Sequence, residues 1–360
     1  MQRVQRGPSI YDVAKAAGVA PSTVSRAFSR PGRVNARTAE RIFVAARDVG
    51  YRTEVLPGLT GQRTRSLAVV VTDITNPFYS EIIRGAHAAA GESGYTILLS
   101  HTQEDAQLER DWTERELSAV DGVLLASSRM SDSAIRMLAK QKPMVMLNRR
   151  VPEVPCVITD NARGMRRAVE HLAELGHQSV TYVAGPESSW ADGMRWVALM
   201  EAGHELELKV RRVGPCNVPT VHAGFDTAAD VLSHDPTAVI AYNDVMAIGV
   251  IKGMRRAGVR VPVDVSVIGF DNVVLSEIVE PELTTVAAPL RAMGITGVKN
   301  LIAAVGGATP SREPIVLPVK LLVRGSTGQR RRKSTSPALG TTKVSGSATK
   351  AATSTVSGSR

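Results

Sequence analysis

Cysteine is nearly absent from the 360-residue sequence: Cys156 and Cys216 are the whole supply. Two thiols are too few for a disulfide framework or a four-cysteine zinc site. Long apolar runs are missing too. None approaches the roughly 18 residues that a membrane-spanning helix needs, and the mean hydropathy is −0.03. The opening Met-Gln-Arg-Val-Gln-Arg-Gly-Pro carries charge but no apolar h-region, so no secretory signal is expected. These absences predict a cytoplasmic protein with no membrane partner. Enzyme signatures are also lacking: there is no Gly-x-Gly-x-x-Gly, Walker loop, Gly-x-Ser-x-Gly or His-Glu-x-x-His. Gly203-His204-Glu205 starts like the last of these but has no second histidine. No catalytic activity, cofactor or metal is therefore expected.

Acidic residues are scarce at both ends. Residues 1–66 hold 12 Lys/Arg against 4 Asp/Glu, residues 324–360 hold 8 against none, and the remainder holds 24 against 30. A mildly acidic body with basic ends suits a nucleic-acid partner, because each neutralised phosphate releases condensed counterions. A solubilising charge would be spread more evenly.

What is present divides the chain into four parts. Residues 325–360 are rich in Ser, Thr, Gly and Lys/Arg, with almost nothing to bury, and read as a disordered basic tail. Residues 66–324 alternate short apolar runs with amphipathic stretches. The runs are Leu67–Val71, Tyr95–Leu99, Gly122–Ala126, Pro143–Leu147, Val157–Thr159, Val180–Ala184, Ala238–Tyr242 and Val265–Phe270. Strand–helix alternation with near-continuous apolar strands implies parallel sheets covered on both faces, here enough for two doubly wound lobes. Ligands in such folds bind beyond the carboxyl ends of the strands.

The first 52 residues form a compact helical module. Ser9 and Asp12 make a capping-box start for a helix over Ile10–Ala17, which Gly18 ends. Pro21 opens a second helix, Pro21–Ser29, and Asn35 caps a third, Ala36–Val49. Val13, Ala14, Val19, Val24, Ala27, Ile42 and Val49 would be its core. This is a helix-turn-helix unit, whose second helix enters the major groove and here presents Ser22, Thr23 and Arg26. Arg30, Arg33, Arg37 and Arg41 look like phosphate contacts.

At these residues a resemblance becomes specific. Tyr11-Asp12-Val13-Ala14, Ala17-Gly18-Val19 and Thr23-Val24-Ser25-Arg26 resemble the headpiece of the lactose/galactose repressor (LacI/GalR-type) family. The resemblance continues through Asp73-Ile-Thr-Asn76-Pro77-Phe78-Tyr79, Thr159-Asp160-Asn161, His171 to His177, Ala184-Gly185-Pro186, Tyr242-Asn243-Asp244 and Val267-Ile-Gly-Phe-Asp271. It implies a periplasmic-binding-protein-like sensor domain after the headpiece. It also implies that Pro21, Ser22 and Arg26 face base edges, while Tyr11, Thr23, Ser25 and Asn35 touch the DNA backbone.

The linker, residues 53–65, departs from the pattern. The family usually has a short hinge helix, Pro-Asn-x-x-Ala-Arg-x-Leu, whose leucine wedges into the minor groove. Here Leu59 takes the wedge position, but Pro57 and Gly58 replace the Ala-Arg pair. Proline confines any hinge helix to a start near Glu54, and glycine weakens it by roughly 0.5–1 kcal/mol.

Asn76, Phe78, Asn148, Arg149, Asp160, Arg195, Asn243 and Asp271 all follow apolar runs or start helices. Donors and acceptors around an aromatic face suit a sugar or polyol. By family position Asn148, Arg195, Asn243 and Asp271 lead. Trp190 either stacks on a ligand ring or packs in a core. Asn243 and Asp271 could equally be simple helix caps, and His171 and His177 read as structural.

The reading is an α/β regulator, a repressor that binds a pseudo-palindromic operator as a homodimer and responds to a sugar-like effector. Without a leucine-heptad tail, a dimer is expected rather than a tetramer. The competing classes are a small-molecule binding protein and an enzyme on the same lobes. Replacing Arg26 with alanine is expected to weaken specific operator binding by about 1–3 kcal/mol, and replacing Arg41 to weaken all sequences alike. Titrations on operator and scrambled DNA measure both, and equal losses at Arg26 would refute base contact.

Overall fold

The computed structural model describes residues 9–29, 34–49, 51, 63–311 and 313–330. The N-terminal module consists of α1 (Ile10–Ala17), α2 (Pro21–Ser29) and α3 (Ala36–Asp48). The Ser9–Asp12 capping box forms, and Gly18 ends α1 at φ +62, where a side chain would be strained. Val13, Val24, Ala27 and Ile42 are fully enclosed. Ala17, Ala45 and Ala46 join them, and Val19, Phe28 and Val49 pack at the edge. The third helix ends one residue earlier than its apolar spacing suggests, at Asp48.

The body begins with β1 (Ser66–Val71), α4 (Pro77–Glu92), β2 (Thr96–His101), α5 (Ala106–Glu116), β3 (Gly122–Ala126), α6 (Asp132–Ala139), β4 (Met144–Leu147) and β5 (Cys156–Thr159). A second set follows: α7 (Asn161–Glu174), β6 (Ser179–Val183), α8 (Trp190–Glu205), β7 (Lys209–Val213), α9 (Val221–Ser233), β8 (Ala238–Ala241), α10 (Asp244–Arg256), β9 (Ser266–Asp271), α11 (Leu275–Ile278) and β10 (Thr284–Ala287). The chain then returns through α12 (Leu290–Val305) to β11 (Ile315–Leu317) and ends on β12 (Lys320–Leu322). One sheet has the order β11-β5-β4-β3-β1-β2 and is parallel throughout. The other, β12-β10-β9-β8-β6-β7, is parallel except for β12. The chain therefore crosses between lobes after β5, after β10 and after β11.

The inner strands of the first sheet, β1, β3, β4 and β5, are buried on both faces, which is why they read as unbroken apolar runs, while β2 at the edge leaves Leu98 and Leu99 exposed. Along β1, Leu67, Val69 and Val71 enter one cluster while Ala68 and Val70 enter the opposite one. The same division holds along β8, with Ile240 on one side and Val239 on the other. Register then sets the rim. Val71 pairs with Ala126, and Ala126 with Leu147, so the residues after β1, β3 and β4 emerge side by side.

Two helix pairs cover these sheets at unusually close range. A side chain at Gly85 would place its Cβ 2.1 Å from the Arg291 carbonyl oxygen, and one at Gly294 2.1 Å from that of Ile82. The pair α9 and α10 repeats the arrangement, with Gly224 against Met246 and Gly249 against Val221.

Residues 325–330, which composition assigns to the tail, are hydrogen-bonded to the second sheet and its covering helix. The Ser326 backbone oxygen accepts from Val267 N–H (2.8 Å), and its hydroxyl accepts from Thr284 N–H (2.8 Å) and donates to the Val267 carbonyl (2.6 Å). Arg330 donates its N–H to the Leu175 carbonyl (2.9 Å). Residues 325–330 thus belong to the second lobe, held by backbone hydrogen bonds that an apolar count does not register. Residues 331–360, linker residues 53–62 with Pro57, Gly58 and Leu59, and Arg30 and Arg33 lie outside the described residues.

Alanine at Gly294 or Gly249 must force its helix pair apart. Each variant is expected to lose stability at or above the roughly 1–3 kcal/mol typical of overpacking. Denaturant unfolding checks this, with Gly91→Ala, where a Cβ meets nothing within 4 Å, as the neutral control.

Candidate functional site

In the N-terminal module, α2 is aligned by its buried Val24 and Ala27, which leaves Pro21, Ser22, Ser25 and Arg26 exposed and Thr23 partly so. Arg26 folds back along the helix, donating from Nε to the Ser22 carbonyl (3.1 Å) and from Nη2 to Ser22 Oγ (3.3 Å). The guanidinium and hydroxyl expected at base edges are thus neighbours on one helix face. Tyr11 is 70% exposed on α1. Asn35 caps α3 by accepting from Arg37 N–H (3.0 Å) and is itself exposed.

The second assembly is a cleft where the carboxyl ends of both sheets meet. It gathers Asn76, Phe78, Asn148, Arg195, Asn243 and Asp271 from the sequence-derived set. Arg195 is its most constrained member. It lies on α8, whose start is fixed by Asp192, which accepts from Tyr182 Oη (2.8 Å), Gly185 N–H (2.7 Å) and Arg212 Nη2 (2.6 Å). The Arg195 guanidinium stacks 3.6 Å from the Phe270 ring centroid. It donates to Asn161 Oδ1 (3.0 Å), to the Tyr242 carbonyl and to Asp271 Oδ1 (3.4 Å).

Asp271 ends β9 with φ +113, and Ser127 and Asn148 follow β3 and β4 with φ +56 and +57. Non-glycine residues held in this region carry strain, and it concentrates here around one cavity. Asn148 donates to Ser127 Oγ (3.1 Å), leaving its Oδ1 buried and unpartnered. Asn243 does cap α10, accepting from Met246 N–H (3.0 Å), yet it also lines the cleft. Asn76 does the same for α4 through Phe78 N–H (3.0 Å). Asp271 pairs with Arg195 rather than capping a helix. Val273 N–H goes instead to Asp244, which also accepts from Thr285 Oγ1.

Three expected residues lie elsewhere. Arg149 is buried under the loop after β3, donating to the Ser128 and Met130 carbonyls (2.7 and 2.6 Å) and to Asp132 (2.6 Å). Its long side chain reaches past the rim to these carbonyls. Asp160 caps α7 through Arg163 N–H (3.1 Å), satisfying an N-terminal donor that the helix leaves open. Trp190 opens α8 and packs against the first-lobe cluster that contains Met130 and Ile135, so its indole is spent on core contact. Conversely Glu104, Ser127, Arg129 and Pro219 line the cleft without having been singled out, and so do Tyr79 and Tyr242, which entered only as members of family-like motifs. The rule of taking the residue after each strand reaches Ser127; Glu104 and Arg129 arrive through loops that periodicity does not describe. His171 and His177 prove structural, bonding Thr327 Oγ1 (3.0 Å) and Ser266 Oγ (3.0 Å), and burial lowers the pKa of both.

Burial pushes the Asp271 carboxyl up to about 7 against the opposing pull of Arg195, and burial plus the Asp271 charge raises that of Asp244. Between the ordinary value of 3.8 and about 7 the folded chain keeps a proton on Asp271 that the unfolded chain has lost. Rising pH in that window therefore removes stability. Thermal unfolding of the ligand-free protein is expected to show a falling midpoint from pH 4 to 7, with a shallower fall in Asp271→Asn. An equally steep fall in that variant would exclude Asp271 as the source.

Comparison with known proteins agrees with both assemblies. Residues 9–54 match the model of "Bacterial regulatory proteins, lacI family", and residues 169–327 match that of "Periplasmic binding protein-like domain". The chain is 34% identical over 329 residues to the HTH-type transcriptional regulator DegA of Bacillus subtilis, covering 89% of this chain and 98% of that protein. It is 33% identical over 341 residues to the repressor CytR of Escherichia coli, covering 91% and 98%. Among solved structures, the lac repressor dimer bound to operator and an anti-inducer aligns with TM-score 0.68 at 26% identity over 90% of this chain and all of that one. The CelR–cellobiose complex aligns with TM-score 0.67 at 29% identity, covering 89% and 99%.

Proposed function

The chain belongs to the lacI family of bacterial regulatory proteins and is a ligand-responsive, DNA-binding transcriptional regulator; we propose that it represses genes handling a polyhydroxylated metabolite, which it senses in the cleft between its lobes. The observation that carries this reading is the Arg195–Asp271 pair. A planar fork of donors and a carboxylate sit together at the strand ends, on an aromatic face. That combination grips vicinal hydroxyls. Cellobiose in the CelR complex and ribose in two regulators at 30% and 29% identity are carbohydrates, which supports the class.

Recognition of DNA rests on Ser22, Arg26 and Pro21 at base edges, with Tyr11, Thr23, Ser25 and Asn35 on the backbone and Leu59 as the minor-groove wedge. One such module reads too few base pairs for useful specificity, so the active species is a homodimer on a pseudo-palindromic site. The regulator works in the cytoplasm and performs no catalysis. No described helix is long and apolar enough to cross a membrane. Because the cleft takes residues from both lobes, a ligand can favour one lobe arrangement over another, by no more than its differential affinity for the two.

A thermal-shift screen of sugars, polyols and nucleosides identifies the effector, and operator selection with and without it identifies the DNA. Arg195→Ala and Asp271→Ala are expected to bind operator as the unmodified protein does, yet to need about ten- to a hundredfold more effector for release, the equivalent of roughly 1.5–3 kcal/mol. Calorimetry paired with operator titration measures both. A normal response in both variants would move the effector site away from this cleft.

A further inference from the structure

The polar groups of the cleft wall are unevenly satisfied, and the imbalance has a sign. Arg129 lies in the loop after β3, its side chain 3% exposed. Its backbone N–H donates to Glu109 Oε2 (2.8 Å) and its Nε to Glu104 Oε2. The other Glu104 oxygen accepts from Thr72 Oγ1 (2.7 Å), which in turn meets the Tyr79 hydroxyl (2.6 Å). Glu104 reaches this position from a turn in which it and Gln103 both have positive φ, +61 and +53. The Arg149 clamp on Ser128, Met130 and Asp132 fixes the loop from behind. The Arg129 guanidinium is thus fully positioned through one nitrogen, while Nη1 and Nη2 donate to no described residue. This is a buried cation lining the cleft with a whole donor edge unused.

Asn76 and Asn243 tilt the balance further. Capping occupies each side-chain oxygen, so the amide nitrogens are what remain for a ligand. Both stand at helix N-termini, where the macrodipole adds positive potential. Against these donors stand Asn148 Oδ1, buried without a partner, and the Asp271 oxygen that Arg195 does not engage. A ligand made only of hydroxyls can accept some of these donors, but it brings no charge to the Arg129 cation and every accepting oxygen carries an O–H that must also be placed.

Resting on the reading of this cleft as the effector site, we propose that Arg129 is a specificity-determining residue whose free edge takes a planar, acceptor-only group, and that the effector is an acidic polyol, a sugar bearing a carboxylate. A carboxylate offers two coplanar oxygens to the parallel N–H groups of that edge. A phosphate fits less well, since its second charge would face the Glu104 and Asp271 carboxylates.

The test uses the full-length protein and matched pairs: glucuronate with glucose, galacturonate with galactose, and gluconate with glucitol. Calorimetry is expected to find one acid binding at least about tenfold tighter than its neutral parent, the scale of a charge-assisted bidentate contact. In Arg129→Gln that ratio falls toward one while affinity for the neutral parent moves less than about threefold. Glu104→Gln combined with Arg129→Gln removes both members of the Arg129–Glu104 pair and must show the same loss, which separates ligand contact from the effect of stranding Glu104. A neutral parent binding as tightly as its acid, or a preference that survives Arg129→Gln, overturns the inference. If that binding is still lost in Arg195→Ala, the effector site stands. Binding of neither member of any pair overturns both.

Discussion

The buried guanidinium of Arg195 is the constraint on which the second lobe's working end depends. A full positive charge taken from water must be met on every side. Here α7 supplies Asn161, the end of β8 supplies the Tyr242 carbonyl, β9 supplies Asp271, and Phe270 supplies a ring face. One side chain therefore ties together elements that are 34, 47 and 76 residues away in sequence. Asp192 aims it, and Asp192 is itself saturated by Tyr182, Gly185 and Arg212. The cost of the arrangement appears at Asp271, where burial outweighs its cationic partner and holds the carboxyl near neutrality.

The first lobe solves the matching problem differently. Its buried cation, Arg129, is held by a single carboxylate, and the strain sits in the backbone at Gln103, Glu104, Ser127 and Asn148. The two rims thus differ in character. One presents an ion pair held by several elements, the other a cation held by one carboxylate with a donor edge unused. A ligand that bound as proposed would complete the first lobe's hydrogen bonding against the second lobe's rim, and would favour whichever lobe arrangement brings the two together. Reciprocal glycine contacts hold α4 against α12 and α9 against α10 at close range.

Much of this was legible in the sequence, for a local reason. The helices of the N-terminal module follow from Ser9, Gly18, Pro21 and Asn35, whose capping and turn chemistry acts within a few residues. The strands follow from apolar runs that burial on both faces requires. Because doubly wound sheets put their ligand at the strand ends, six of the nine expected effector residues do line the cleft: Asn76, Phe78, Asn148, Arg195, Asn243 and Asp271. The same rule failed at Arg149, Asp160 and Trp190, where adjacency to a strand end did not decide which way the side chain would turn.

Sequence by itself determined the domain order, the parallel two-lobed body, the DNA-reading module and the rim from which a pocket would be drawn. Those depend on periodicity, caps and motif spacing, all short-range. Only the tertiary structure decided that Glu104 pairs with Arg129, that Tyr242 offers its backbone to Arg195, and that Ser326 closes the end of the second sheet. Each joins segments tens of residues apart. Such partners are chosen by what burial leaves unsatisfied once the chain has folded, and no local pattern encodes that remainder.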